Sequence, residues 1–283
     1  MPIKIKDLSY VYSTDTLNKT AALNDISLDF AEGKIYAVIG ETGSGKSTLI
    51  QHLNALLLPQ IGSVEVDGQM VVANKKNKKL KALRKKVGLV FQFSEYQLFE
   101  ENILKDVAFG PKNFGHSEAE SIFLAKKALK LVGIDEELFE RSPFELSGGQ
   151  KRKVAIAGIL ALEPKYIVLD EPTSGLDPQS AKELMELFVN INKSHQTTII
   201  IVTHDYEVVF NYADEVILLD HGNLIIKSDI KAFFTNQALI EKYQLAKPNI
   251  LKLVDQLRAK GFEIKDYYDN LAELIVDIKR WIK

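Results

Sequence analysis

The sequence predicts an α/β fold built on a buried parallel sheet, and three apolar runs carry that prediction. Lys34 to Ile39, Tyr166 to Leu169 and Thr198 to Val202 are almost continuously apolar with a β-branched bias, as strands covered on both faces must be. Each run ends in chemistry: Gly40 after the first, Asp170-Glu171 after the second, Thr203-His204-Asp205 after the third. Ligands in open α/β sheets gather outside the carboxyl ends of the strands, so these groups are expected to face a common crevice. A fourth run, Val87 to Phe91, ends in Gln92.

The first run leads into Gly40-Glu41-Thr42-Gly43-Ser44-Gly45-Lys46-Ser47. Helical spacing then resumes from Ser47 to Leu57 (Leu49, Ile50, Leu53, Leu56, Leu57). Strand, glycine-rich loop and helix together are the context a phosphate-binding loop requires. The glycines let the backbone turn its N–H groups onto phosphate oxygens, and the helix start adds its orphan donors and positive dipole end. Lys46 supplies a point charge for the β- and γ-phosphates, and the Ser47 hydroxyl is expected to bind Mg²⁺. Asp170 is expected to hold Mg²⁺ through water, and Glu171 is the candidate general base or orienter for an attacking water. Gln92 offers a neutral amide that can reach Mg²⁺ or that water and withdraw when the γ-phosphate leaves.

A second glycine turn, Leu146-Ser147-Gly148-Gly149-Gln150, precedes an Ala- and Ile-rich helical stretch from Val154 to Leu162. It is another helix N-terminus suited to an anion. With these motifs in this order, the chain resembles the ATP-binding-cassette ATPases over roughly residues 1–235. The resemblance implies a P-loop NTPase (RecA-like) core with an N-terminal antiparallel β subdomain. A helical signature subdomain is inserted at about residues 95–163, and a small helical extension occupies 236–283. It implies ATP with Mg²⁺ on the 40–48 loop, including Thr48, an aromatic from Tyr12 on adenine (Tyr10 is the rival), and His204 on the γ-phosphate. It also implies that Ser147, Gly148, Gly149 and Gln150 cap the ATP held by a second subunit, with Asp177 of the Ser174-Gly175-Leu176-Asp177 turn at the same interface. One chain cannot fold both glycine turns onto the same phosphates, since each heads its own helix in a separate subdomain.

The stretch after Gln92 narrows the family. Phe93-Ser94-Glu95-Tyr96-Gln97-Leu98-Phe99-Glu100-Glu101 and Ala108-Phe109-Gly110-Pro111-Lys112-Asn113 resemble the ATPases of energy-coupling factor (ECF) transporters, of the second, A-prime type. Gln150-Lys151-Arg152-Lys153-Val154 fits the same type, whereas Ser94 stands where proline is usual and Ser174 where alanine is common. This implies a peripheral ATPase on the cytoplasmic face of a bacterial membrane, powering uptake of vitamins or related micronutrients. Its implied partners are a homologous second ATPase in a heterodimer, a transmembrane coupling subunit and, indirectly, a substrate-binding membrane subunit. Glu95, Tyr96 and Phe99 are the expected contacts to the coupling subunit. The alternatives are an ATPase of another ABC transporter and, remotely, a non-transport cassette protein, which needs a coiled-coil insertion or a second cassette that this length does not hold.

The remaining composition bounds the reading. A chain of 283 residues with net charge −2 has no nucleic-acid footprint. The basic run Lys75 to Lys86 holds eight Lys or Arg in twelve positions and reads as a solvated hairpin and short helix. No apolar stretch approaches the ~20 residues of a bilayer span, and the Met1-to-Lys6 start lacks signal-peptide character. The absence of cysteine excludes disulfides and thiolate metal sites. Ser117 to Gly133 reads as a helix of the inserted subdomain. In the tail, Pro248 opens a helix ending at Gly261, and Leu271, Leu274, Ile275, Ile278 and Ile282 form a second amphipathic stripe expected to serve packing or dimerisation.

Overall fold

The computed structural model describes residues 2–12, 20–75, 77 and 80–282; Lys76, Lys78 and Lys79 of the basic run lie outside the described residues. The strands are β1 (Ile3–Tyr12), β2 (Thr20–Phe30), β3 (Ile35–Ile39), β4 (Ile61–Val66), β5 (Gln69–Val72), β6 (Val87–Val90), β7 (Tyr166–Asp170), β8 (Thr198–Val202), β9 (Glu215–Asp220) and β10 (Asn223–Asp229). The helices are α1 (Lys46–Leu53), α2 (Leu80–Lys86), α3 (Ile103–Asn113), α4 (Glu118–Leu131), α5 (Gly148–Leu160), α6 (Pro178–His195), α7 (Tyr206–Tyr212), α8 (Ile230–Thr235), α9 (Gln237–Lys242), α10 (Asn249–Ala259) and α11 (Leu271–Ile282).

The larger sheet runs β10-β9-β3-β8-β7-β6, parallel throughout except for the β9–β10 hairpin. Its apolar runs are explained by burial on both faces. In β8, Ile199 and Ile201 point into one cluster while Ile200 and Val202 point into another, as the two-residue pleat demands. The first face is covered by α3, α4, α5 and α6. The second packs on α1, through Leu49, Ile50 and Leu53, and beyond it on the antiparallel sheet β2-β1-β4-β5. A third cluster joins Ala37 and Ile39 of β3 to α7, α8 and Leu251 of α10.

Between β6 and β7 the chain builds the helical insertion. Ser117 caps α4 with a reciprocal capping box to Glu120, and Gly133 follows the helix at φ 74°, the left-handed stop that glycine tolerates best. The basic run contributes α2, where Lys86 pairs with Asp67 at 2.5 Å and Arg84 donates to the Ala55 carbonyl at 2.9 Å.

Two expectations need correction. The phosphate-loop helix ends at Leu53 rather than Leu57: Asn54 caps it, Ala55 turns left-handed at φ 54°, and Leu56 is half exposed. The stripe on α11 is also only partly inward. Leu274 is fully buried against Val254 and Tyr268, and Ile278 packs beside them, but Leu271 and Ile275 are exposed, and the Ile282 side chain lies outside the described residues.

Close packing of the insertion on the sheet sets a testable limit. A methyl group on Gly88 of β6 would fall 2.4 Å from Cγ2 of Ile159 on α5 and 3.2 Å from Pro164. Gly88→Ala is expected to destabilise the fold by about 1–3 kcal/mol, the usual overpacking range. A lowered denaturant midpoint at unchanged slope would register this; an unshifted midpoint would show that α5 is not held against β6.

Candidate nucleotide site

Parallel pairing assembles the site. β3, β8, β7 and β6 are consecutive neighbours, so Gly40, His204, Asp170-Glu171 and Gln92 all emerge from the same end of the sheet. Asp170 lies in register with Val202, and Leu169 with Ile201 on one side and Val90 on the other.

The 40–47 loop has the backbone such a turn needs. Gly40, Gly43 and Gly45 have φ of 144°, 84° and 100°. A Cβ on Gly45 would lie 2.3 Å from the Ala22 carbonyl oxygen, and one on Gly40 would lie 2.1 Å from that of Leu219. Only glycine fits either position. Lys46 opens α1 and its Nζ donates to the carbonyls of Gly40 (2.7 Å) and Glu41 (2.8 Å). Burial pulls the Lys46 ammonium below its ordinary pKa, while the charges of Glu171 and Asp170 oppose that shift. Asp170 shows the complement: burial raises its pKa first, the Glu171 charge adds to this, and Lys46 opposes. Three charges are therefore gathered where solvent is scarce.

Glu171 sits in the left-handed region at φ 49°, costly for a non-glycine residue and typical of functional positions. Its N–H donates to the Val202 carbonyl at 2.9 Å, which fixes the turn. Its Oε1 lies 2.9 Å from His204 Nδ1, with the Glu171 side chain 16% and the His204 side chain 76% exposed. The candidate base is thus sheltered and held by a histidine that reaches solvent. Ser47 and Gln92 are exposed at the same end of the sheet.

The two aromatics of β1 differ in their surroundings. Tyr10 is partly buried edge-on against His52 (5.0 Å), while Tyr12 is 41% exposed with its hydroxyl 3.3 Å from Thr48 Oγ1. Thr48 therefore ties the exposed ring to α1, with its own side chain buried.

The signature turn stands apart. Ser147 caps α5, accepting from the Gln150 N–H, and the Gln150 side-chain carbonyl accepts from the Ser147 N–H at 3.0 Å. The Gln150 side-chain oxygen therefore shapes the turn from within the chain. Asp177 likewise caps α6, accepting from the N–H groups of Gln179 and Ser180 and from the Ser180 hydroxyl. These bonds hold the exposed Asp177 carboxyl below its ordinary pKa. A cavity of about 200 Å³ beside the signature is lined by residues of the α5 region and of Leu176 and α6, including Ser147, Gly149, Ser180 and Glu183, with none from the 40–47 loop.

Beyond Gln92, a short 3₁₀ turn (Ser94–Gln97) carries Glu95 and Tyr96 of the expected coupling residues, and Phe99 follows it. Tyr96 is 84% exposed and Phe99 58%, the latter edge-on to Phe109 at 4.9 Å. Glu95 is not a free docking carboxylate. It receives two bonds from Arg152, Nε to Oε2 at 3.2 Å and Nη2 to Oε1 at 3.1 Å. Sequence reasoning missed Arg152 as its partner; the Lys151-Arg152-Lys153 run looks solvated on sequence alone, and nothing local marks its middle residue as buried.

A fold with a phosphate loop and acidic strand end on neighbouring parallel strands, plus a capped glycine turn on an inserted helical unit, defines a cassette-type ATPase. The ABC transporter family model matches residues 23–174, and the chain belongs to that family. Within it, the chain belongs with the ECF transporter ATP-binding proteins. It is 52% identical over 274 residues to the energy-coupling factor transporter ATP-binding protein EcfA2 of Streptococcus pyogenes serotype M5, covering 97% of this chain and 98% of that one. The serotype M3 protein of the same name matches equally. Among solved structures, CbiO1 of Clostridium perfringens, described as part of the ABC transporter complex CbiONQ, is 38% identical with a TM-score of 0.74 over 89% of this chain and 98% of that one. The dimeric ATP-binding cassette MJ0796, bound to ADP and Pi, is 29% identical with a TM-score of 0.71 over 81% of this chain and 98% of that one. The chain is an ATPase of the transporter-coupled kind, and no helix among the described residues is long and apolar enough to cross a membrane.

The charge cluster gives a pH-linked expectation. The folded state raises the Asp170 pKa, so this group favours folding below its unfolded pKa, and that advantage is lost as pH rises through the folded value. Asp170→Asn removes the penalty at neutral pH. In thermal melts near pH 7 without nucleotide it is expected to unfold at or above the wild-type temperature, yet to lose the extra stabilisation given by ATP with Mg²⁺. A variant melting well below wild type would show that Asp170 is a structural carboxylate.

Proposed function

We propose that the chain hydrolyses ATP at sites shared with a second, homologous ATPase and transmits closure of the pair to a membrane coupling subunit of an ECF importer. The observation that carries the reading is the separation of two phosphate-type turns. One heads α1 beside Glu171; the other heads α5 in a different cavity, with its cap already satisfied inside the chain. A turn so formed needs phosphate from elsewhere, and a homologous partner supplies it.

The roles follow from position. The 40–48 loop and Lys46 hold the phosphates, and Tyr12 offers its exposed face to the base. Ser47, Asp170 and Gln92 are oxygen donors and fit Mg²⁺. Mg²⁺ keeps few protein ligands and shares phosphate oxygens. When bound, Mg²⁺ would neutralise charge on the β- and γ-phosphates. Glu171 accepts the proton of the attacking water, and His204 holds Glu171 in place and meets the γ-phosphate. The Gly148 and Gly149 N–H groups, the Ser147 O–H and the Gln150 side-chain NH2 stabilise the partner-held phosphate, with Asp177 at the same interface.

Closure then has a route outward. Gln92 leads directly into the exposed aromatics Phe93, Tyr96 and Phe99, a surface suited to short coupling helices. On this reading the chain sits peripherally on the cytoplasmic side of a bacterial membrane, serving vitamin or related micronutrient uptake through a separate substrate-binding subunit. Leu271 and Ile275, exposed one turn apart on α11, suit the second ATPase, so that residues 236–283 act as a dimer contact.

Two variants separate binding from chemistry. Glu171→Gln keeps size and most hydrogen bonding but removes the base; turnover in the assembled complex is expected to fall about 100-fold or more while ATP binding survives. Lys46→Ala is expected to impair ATP binding itself. Near-normal turnover with Glu171→Gln, or unaltered ATP affinity with Lys46→Ala, would contradict these roles.

A further inference from the structure

We propose that Arg152 is a positioning residue that locks the membrane-facing turn, the signature helix and the turn after the catalytic carboxylate into one unit. It sits on α5 one turn beyond Gly148-Gly149 and is only 7% exposed. Its guanidinium makes a two-bond fork to Glu95 of the Ser94–Gln97 turn, with side-chain exposures of 8% and 16%. The remaining terminal nitrogen, Nη1, donates to the Ser174 carbonyl at 2.8 Å and the Pro172 carbonyl at 3.4 Å. Those carbonyls belong to the turn that begins at Glu171, whose own carbonyl accepts from the Ser174 N–H.

Three segments distant in sequence thus meet on one planar group. Glu95 lies three residues after Gln92, Ser174 three after Glu171, and Arg152 five after Ser147. A lysine cannot reproduce this, because its ammonium is a point charge without the rigid fork. The Ser174 contact uses the backbone carbonyl, so the side chain at that position does not decide it. A displacement of the Ser94–Gln97 turn by a membrane partner therefore reaches the signature turn and the Glu171 turn together through this one guanidinium.

The inference rests on the proposed ATPase mechanism, and the experiment separates the two. ATP hydrolysis is measured in the complete complex for wild type, Arg152→Lys, Glu95→Gln and the double variant. Arg152→Lys is expected to lower kcat about tenfold or more while KM for ATP moves less than about threefold, the signature of an interaction realised in the transition state rather than in binding. Glu95→Gln, which leaves the bonds to Pro172 and Ser174, is expected to give a smaller loss. The double variant is expected to be no worse than Arg152→Lys, because both act through one unit. An active wild-type complex whose kcat is unchanged in Arg152→Lys overturns the inference, and so do fully multiplicative losses. A wild-type complex that hydrolyses no ATP overturns the underlying mechanism instead.

Folding is controlled independently. The chain has no cysteine, so Gln97→Cys and Glu145→Cys, both at exposed positions, accept a clean pair of spin labels. With ATP and Mg²⁺ the label distance is expected to stay single and narrow in wild type and to broaden in Arg152→Lys. Equal widths in the two would also overturn the lock. Should Arg152→Lys not assemble, Glu95→Gln carries the same kcat and label measurements with the same opposing outcomes.

Discussion

In-register parallel pairing of β3, β8, β7 and β6 is the constraint on which everything else depends. Burial on both faces selects the apolar runs, and the shared strand direction brings their carboxyl ends together. The phosphate loop, Glu171, His204 and Gln92 are spread over more than half the chain but become neighbours by this one arrangement. A slip of one residue would exchange the faces of a whole strand, taking Ile199 and Ile201 off the helical insertion and moving the strand-end groups with them.

The site holds its chemistry against local preference. Glu171 adopts a left-handed backbone, Lys46 is held below its ordinary pKa and Asp170 above its own, both mainly by burial. Each is unfavourable alone and is offset by neighbours: the Val202 carbonyl for the Glu171 turn, loop carbonyls for Lys46, and the Lys46 charge for Asp170. Such strain belongs where geometry must be fixed before substrate arrives. The signature turn is prepared likewise, since its capping box is complete within α5.

Much of this was legible in the sequence because local rules and tertiary structure agree there. The strand runs, the glycine loop, the Ser117 and Ser147 helix starts and the Gly133 stop all lie where their residues place them. What was not legible depends on distant partners. Leu56 and Leu57 continue a helical pattern, but the chain turns at Ala55, whose carbonyl accepts from Arg84. Half the α11 stripe faces outward because α10 covers only the Leu274 side. The pairing of Glu95 with Arg152 spans 57 residues, and a basic run on a helix gives no hint that its central arginine is buried.

Function follows from two glycine turns that cannot meet in one chain. In the proposed mechanism the Lys46 loop holds one ATP, the signature turn caps another, and the segment after Gln92 links closure to the membrane. The most direct measurement is site-resolved nucleotide trapping in the assembled complex carrying Ser147→Arg on this chain. The account predicts that trapping is lost at the partner's phosphate loop while ATP still binds at this chain's Lys46 site. Loss confined to the Lys46 site of this same chain would contradict it.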